Sequence, residues 1–182
     1  MGTGLAGLGG CHAFRICRQP RREGRLAKRM NVCVSDELVA KEVMTVEEMA
    51  ALAPQRLSLE ERVPGACGEA FDLKTWYAAW ASRHGVVPEA APTHVQADAA
   101  DEFRAVLPWA QADQAVILYA VDEAPLSKGF PIRLYVPDGS SACLNVKSVV
   151  QLSFVRDASL GDQATYGFVS SIPADALWKP KQ

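Results

Sequence analysis

Between residues 93 and 155 the chain carries a succession of short apolar runs, each bounded by Pro, Gly or Asp. Residues 93–97, 103–107, 115–121, 131–136 and 148–155 read as strands. In two of them the alternation is explicit. Ile132, Leu134 and Val136 alternate with Arg133 and Tyr135, and Val150, Leu152 and Phe154 alternate with Gln151 and Ser153. A period of two gives a strand one buried and one accessible face. A chain that spends its second half in this way folds around a sheet.

The preceding segment reads differently. Thr45-Val46-Glu47-Glu48 is a capping box that opens a short helix through Ala53, with Pro54 helping to end it. Residues 56–62 set Leu57 and Leu59 against Ser58 and Glu60, the pattern of a half-buried strand. Asp72 is placed to cap a helix over 73–84 that Gly85 closes. Leu73, Trp76, Tyr77 and Trp80 recur along it at spacings of three and four, which makes one apolar face. Helices come early and strands late, with few helical crossovers. The expected fold class is therefore α+β, a mixed β-sheet core with a few helices, rather than a doubly wound α/β fold. Past residue 156 periodicity fades, and Trp178 is expected to dock the end of the chain.

Charge divides the chain in two. Residues 1–30 hold seven basic side chains against Glu23 alone, while the rest carries twelve bases and twenty acids. The head is Gly-rich, then Arg-rich, without hydrophobic period. It is expected to be a disordered basic tail upstream of a second Met at position 30, with 31–182 forming a single domain. Its Arg21-Arg22 pair is followed by Glu-Gly-Arg rather than an apolar stretch, so no secretory signal is read and a cytoplasmic location is expected. Gly2-Thr3-Gly4-Leu5-Ala6-Gly7 spells a dinucleotide-binding pattern but has no strand before it. An acidic body repels phosphate backbones, which argues against a nucleic-acid partner. No apolar run approaches the ~20 residues of a membrane-spanning helix, which argues against a membrane partner.

Five cysteines (Cys11, Cys17, Cys33, Cys67 and Cys143) form no C-x-x-C pair and no zinc spacing. With only His12, His84 and His94 to add, a multi-histidine metal centre is not expected.

The run Lys128-Gly129-Phe130-Pro131-Ile132-Arg133-Leu134-Tyr135-Val136-Pro137-Asp138-Gly139 resembles the "H-G-[FVY]-P-[LIV]-R-L-V-V-P-G" signature of sulfite-oxidase-type molybdopterin domains. Val146-Lys147-Ser148 falls where that family has "V-K-W". Residues 71–80 resemble the family's "G-V-P-L-x-x-L-L" helix entry, and 94–107 resemble the strand pair around "A-D-G-Y-x-x-x-L-P". Residues 115–126 resemble "D-x-L-L-A-Y-x-x-N-G-x-P-L". The likeness runs in consistent order over roughly half the chain. It implies a sulfite-oxidase-like α+β fold enclosing a molybdopterin cofactor, with a cysteine thiolate on the metal and oxygen-atom transfer as the chemistry.

The chain departs from that pattern at the points that matter for catalysis. The expected strand at 56–62 contains no cysteine where the family's metal ligand would stand. Lys128 replaces a His, Asp138 a Gly and Ser148 a Trp. Cys67 and Cys143 are the displaced metal-ligand candidates, each reading more readily as a free loop thiol. The candidate cofactor-binding residues are Lys147, Arg133, His94 and Lys128. Lys147 reads as a phosphate contact or as one solvated lysine. Arg133 reads as a ligand contact or as a partner of an acidic side chain. His94 reads as a pocket residue or as a satisfied structural histidine. Asp98, Asp101 and Glu102 read as a solvated bend, and His84 as a helix-end residue. The expectation is a non-catalytic binding or interaction module with a small-molecule or pterin ligand. The alternative is a small molybdopterin-dependent oxidoreductase using Cys67 or Cys143.

Overall fold

The computed structural model describes residues 31–87 and 90–169. The basic head, the Gly-rich pattern, Cys11, Cys17, His12 and Trp178 lie outside the described residues. The chain opens on a hairpin of β1 (Val32–Asp36) and β2 (Val39–Met44), followed by α1 (Val46–Leu52), β3 (Arg56–Ser58), β4 (Glu69–Asp72) and α2 (Leu73–Arg83). Then come β5 (His94–Ala99), β6 (Phe103–Pro108), β7 (Val116–Val121), β8 (Ala124–Pro125), β9 (Arg133–Tyr135), β10 (Val149–Val155) and β11 (Thr165–Phe168). Among the described residues the fold class is α+β, mostly sheet with two helices.

The strands form two sheets. The first has the order β11-β6-β5-β10-β1-β2 and is antiparallel except where β1 runs parallel to β10. The second has the order β3-β4-β7-β8, and β9 pairs with the first half of β7 while β8 pairs with its end. One large core, holding Val34, Met49, Phe71, Trp76, Trp80, Ile117, Leu134, Leu152 and Phe154, draws side chains from both sheets and both helices. A smaller cluster of Leu59, Ala70, Val116, Leu118 and Leu126 lies on the other face of the second sheet. Alternate residues of β7 therefore serve two different cores.

Both expected helices form with the expected caps. Thr45 Oγ1 accepts from the Glu48 N–H, and a Glu48 carboxylate oxygen accepts from the Thr45 N–H at 2.7 Å. Asp72 accepts from the Thr75 N–H at 2.8 Å, and Gly85 closes α2 at φ +74°. The predicted apolar face of α2 is buried in full. Among the described residues no helix is long and apolar enough to cross a membrane.

Four expectations are corrected. The strand over 56–62 ends at Ser58, because Ser58 and Glu61 cap each other around a single 3-10 turn at Leu59–Glu61. Strands do not come only late, since the hairpin of β1 and β2 precedes α1. The chain past residue 156 adds another strand, β11, paired to β6. The mixed sheet core is not one sheet but two, and the runs at 131–136 and 148–155 fall in different ones. β9 belongs to the second sheet and β10 to the first, and they meet at one bridge between Ile132 and Val149.

Candidate functional site

An open cleft of about 1040 Å³ lies between α1 and the second sheet. This lies at the upper end of the ~300–1,000 Å³ typical of small-molecule sites. Its floor comes from strand pairing. β4 and β7 put Glu69 and Ala120 opposite each other, with Tyr119 beside them, and β3 carries Arg56 at the sheet edge. The first turn of α1 contributes Thr45, Val46, Glu47 and Glu48 from one side. From the other side come the β7–β8 turn with Glu123, then Ala124, Pro125 and Phe130. The turn is tight, with Asp122 and Glu123 both in left-handed backbone at φ +52° and +59°.

Gly68 sets the position of Glu69. Its φ of +132° belongs to the region that favours glycine, and a Cβ there would meet Leu118 Cδ1 at 2.5 Å and the Ala120 carbonyl at 2.6 Å. Only a bare backbone lets the start of β4 come this close to β7. On the floor the Tyr119 hydroxyl donates to Glu69 Oε2 at 2.8 Å. Burial and then that carboxylate push the phenol up to about 12, with Arg56 acting in the opposite direction, so Tyr119 is a neutral donor and not a base. Arg56 also ties the wall to the floor, its Nε reaching the Ala50 carbonyl of α1 at 3.4 Å.

The candidate residues read from the sequence do not gather in this cleft. Lys128 and Lys147 are exposed on two loops that touch where the Ser148 N–H donates to the Gly129 carbonyl at 3.1 Å. Arg133 packs under Gly129, and its guanidinium lies 5.0 Å from the centre of the Tyr135 ring. Its Nε is buried without a hydrogen-bond partner among the described residues. His94 is in the first sheet, where its Nε2 meets the Gly161 carbonyl at 2.8 Å and its Nδ1 the Thr93 hydroxyl at 2.9 Å. Cys67 and Cys143 are exposed free thiols, and neither lines the cleft. The loop from Pro137 to Ser148 contributes none of the cleft's lining residues, although Phe130 at the start of the signature-like run does.

Other readings find their places. Asp98 pairs with Arg104 and accepts from Gln96, and Asp101 accepts from the Phe103 N–H, so the acidic bend is used internally. His84 caps α2, packs tilted against Trp80 with ring centres 4.7 Å apart and meets Glu42 at 3.0 Å.

No family model matches the sequence, and no curated protein matches it. The cleft lining itself can be compared with what molybdopterin requires. A pterin phosphate needs cations or a cradle of amides, and molybdenum of this type needs a thiolate. Among the described residues the cleft offers four carboxylates (Glu47, Glu48, Glu69 and Glu123) against the single guanidinium of Arg56, and no cysteine. Among the described residues no three His, Cys, Asp or Glu side chains are grouped to hold a metal ion. The lining does not fit that group. The residues that sequence reasoning missed, Glu69, Tyr119 and Arg56, sit on three strands and left little trace: Arg56 and Glu69 stand at the margins of apolar runs, and Tyr119 lies inside one.

Proposed function

We propose that this protein is a non-catalytic binding module on a sulfite-oxidase-like α+β frame, taking a small molecule in the cleft between α1 and the second sheet. One observation carries the reading. A cavity of ligand size has an apolar wall of Val46, Ala120, Pro125 and Phe130 and a hydrogen-bonded polar pair, Tyr119 and Glu69, on its floor. Apolar walls with a few convergent polar groups are the usual make-up of a small-molecule site. Tyr119, held neutral, offers no base near pH 7.

A fragment screen read by amide chemical shifts tests the reading. Binding fragments should shift Val46, Glu48, Glu69, Tyr119 and Phe130 together, and Ala124→Trp, which fills the cleft from its exposed side, should abolish those shifts. Shifts that map elsewhere and survive Ala124→Trp would move the site. Stoichiometric molybdenum in protein purified from a cofactor-producing host, lost in Cys67→Ser or Cys143→Ser, would replace the reading with the oxidoreductase one.

A further inference from the structure

The cleft's walls and floor also specify the charge of what it takes. We infer that its ligand is an organic cation, an amine with an apolar body, whose ammonium group pairs with Glu69; this rests on the cleft being the ligand site. The cavity is the starting observation, and three features of it converge. First, among the described residues the charged lining is four carboxylates to one guanidinium, and most of the rest of the recess is apolar. A recess of one dominant sign with low-dielectric walls concentrates the counter-charge.

Second, the carboxylates are not equally available. Glu48 is committed to the Thr45 N–H as the return half of the capping box. Glu69 accepts the Tyr119 hydroxyl on Oε2 only, and Oε1 has no hydrogen-bond partner among the described residues. The carboxylate is half-buried on the cleft floor, so its unpaired oxygen is the natural acceptor for an ammonium donor. Third, Arg56, the one cation among the described lining residues, is turned toward α1 and the Tyr119 phenol. It steadies the floor rather than neutralising Glu47 and Glu123 at the rim. Phe130 and Pro125 face the remaining space and suit an alkyl or aromatic body.

The test uses three probes of matched shape, n-hexylammonium, n-hexanol and sodium hexanoate, titrated at equal ionic strength and read by the amide shifts of Glu69, Tyr119 and Val46. Hexylammonium is expected to bind about tenfold more tightly than hexanoate and to weaken as salt is raised. Glu69→Gln keeps an acceptor for Tyr119 while removing the charge, and should cost hexylammonium about tenfold and hexanol nothing. Glu123→Gln, on an exposed turn, should cost a smaller factor and guards against a folding defect in the first variant. Hexanol or hexanoate binding in the cleft as tightly as hexylammonium overturns the charge inference and leaves the cleft as a ligand site. So does silence from hexylammonium while other fragments still bind there. If no fragment shifts the cleft amides, the site itself falls.

Discussion

Arg156 closes on both oxygens of Asp36, with Nη1 2.6 Å from Oδ1 and Nη2 3.1 Å from Oδ2. Asp36 ends β1 with its side chain fully buried, and Arg156 follows β10, the parallel neighbour of β1. Tyr77 of α2 donates to the same carboxylate at 2.7 Å, and the guanidinium reaches the Ala90 carbonyl as well. The pair thus joins the first sheet, α2 and the segment after it.

A buried pair loses most when one member is removed, because the other is left charged in a poor solvent. Arg156→Met is expected to cost about 3–5 kcal/mol, measured as the fall in urea midpoint at constant slope. A loss below ~1 kcal/mol would mean that water or another cation replaces the guanidinium.

The same site gives an acid dependence. Burial alone would raise the Asp36 carboxyl, but hydrogen bonds from Arg156, the Leu38 N–H and Tyr77 outweigh it and hold the group below the ordinary carboxylate value of 3.8. A depressed folded value means that the unfolded chain takes up the proton first. The stabilisation is present above about pH 4 and is lost as pH falls through the folded value. Glu42, held below 4.5 by Trp80, His84 and Arg83 despite its burial, adds a loss of the same sign in the same range. Urea midpoints should drop steeply below pH 4 in the wild type, and less steeply in Asp36→Asn from its already lower plateau.

These sites also show how far the sequence could be read. Residues 32–36 alternate cleanly, and Val32 and Val34 are fully buried. The pattern is disguised because its third inward residue is Asp36, which makes sense on a core face only with Arg156, 120 residues away. β2 and β11 are the two edges of the first sheet. β11 is exposed along its whole length, with Phe168 67% exposed, and β2 sets Val43 outward at 59% exposure while Glu42 turns in to meet Trp80, so neither strand writes a hydrophobic period of two. The capped helices were legible because their signals are local. The cleft was not, since Glu69 and Tyr119 are 50 residues apart and meet through the β4–β7 register.

Gly68 is where backbone geometry governs the cleft most directly. Gly68→Ala would put a methyl into the Ala120 carbonyl, which cannot move without breaking the β4–β7 ladder. Overpacking together with a left-handed backbone should cost about 3 kcal/mol. The shift of β4 should also disturb the Tyr119–Glu69 bond, so cleft amide shifts should change even where the protein remains folded. An unaltered Glu69 amide in a folded Gly68→Ala protein would show that the loop gives way and the strand does not.

α1 walls the cleft with only seven residues, so its cap carries an unusual share of its order. Thr45→Ala removes the acceptor for the Glu48 N–H and should cost about 1 kcal/mol, seen as a lower melting temperature. It should also release the Glu48 carboxylate from its return bond to the Thr45 N–H. Hydrogen exchange at Val46–Met49 should quicken more than exchange in α2. Equal acceleration in both helices would mean that α1 opens only with the whole domain.

Tyr119 makes the cleft floor sensitive to alkali, and the sign follows from its raised value. Burial and the Glu69 carboxylate favour the neutral phenol, so the folded group ionises near 12 against 10 in the unfolded chain. Tyr77 is displaced in the same direction by burial and Asp36. Below pH 10 both forms are protonated in either state and the stabilisation is whole. As pH rises from 10 toward the folded values, the unfolded chain releases protons first and stability falls. Tyr119→Phe should flatten that decline while leaving Tyr77's share, and should lower neutral-pH stability by about 1 kcal/mol for the lost hydrogen bond. Absorbance titration should show one late-ionising phenol fewer in the variant. If the late phase keeps its full amplitude, the phenol on the cleft floor is more open to water than its bond to Glu69 implies.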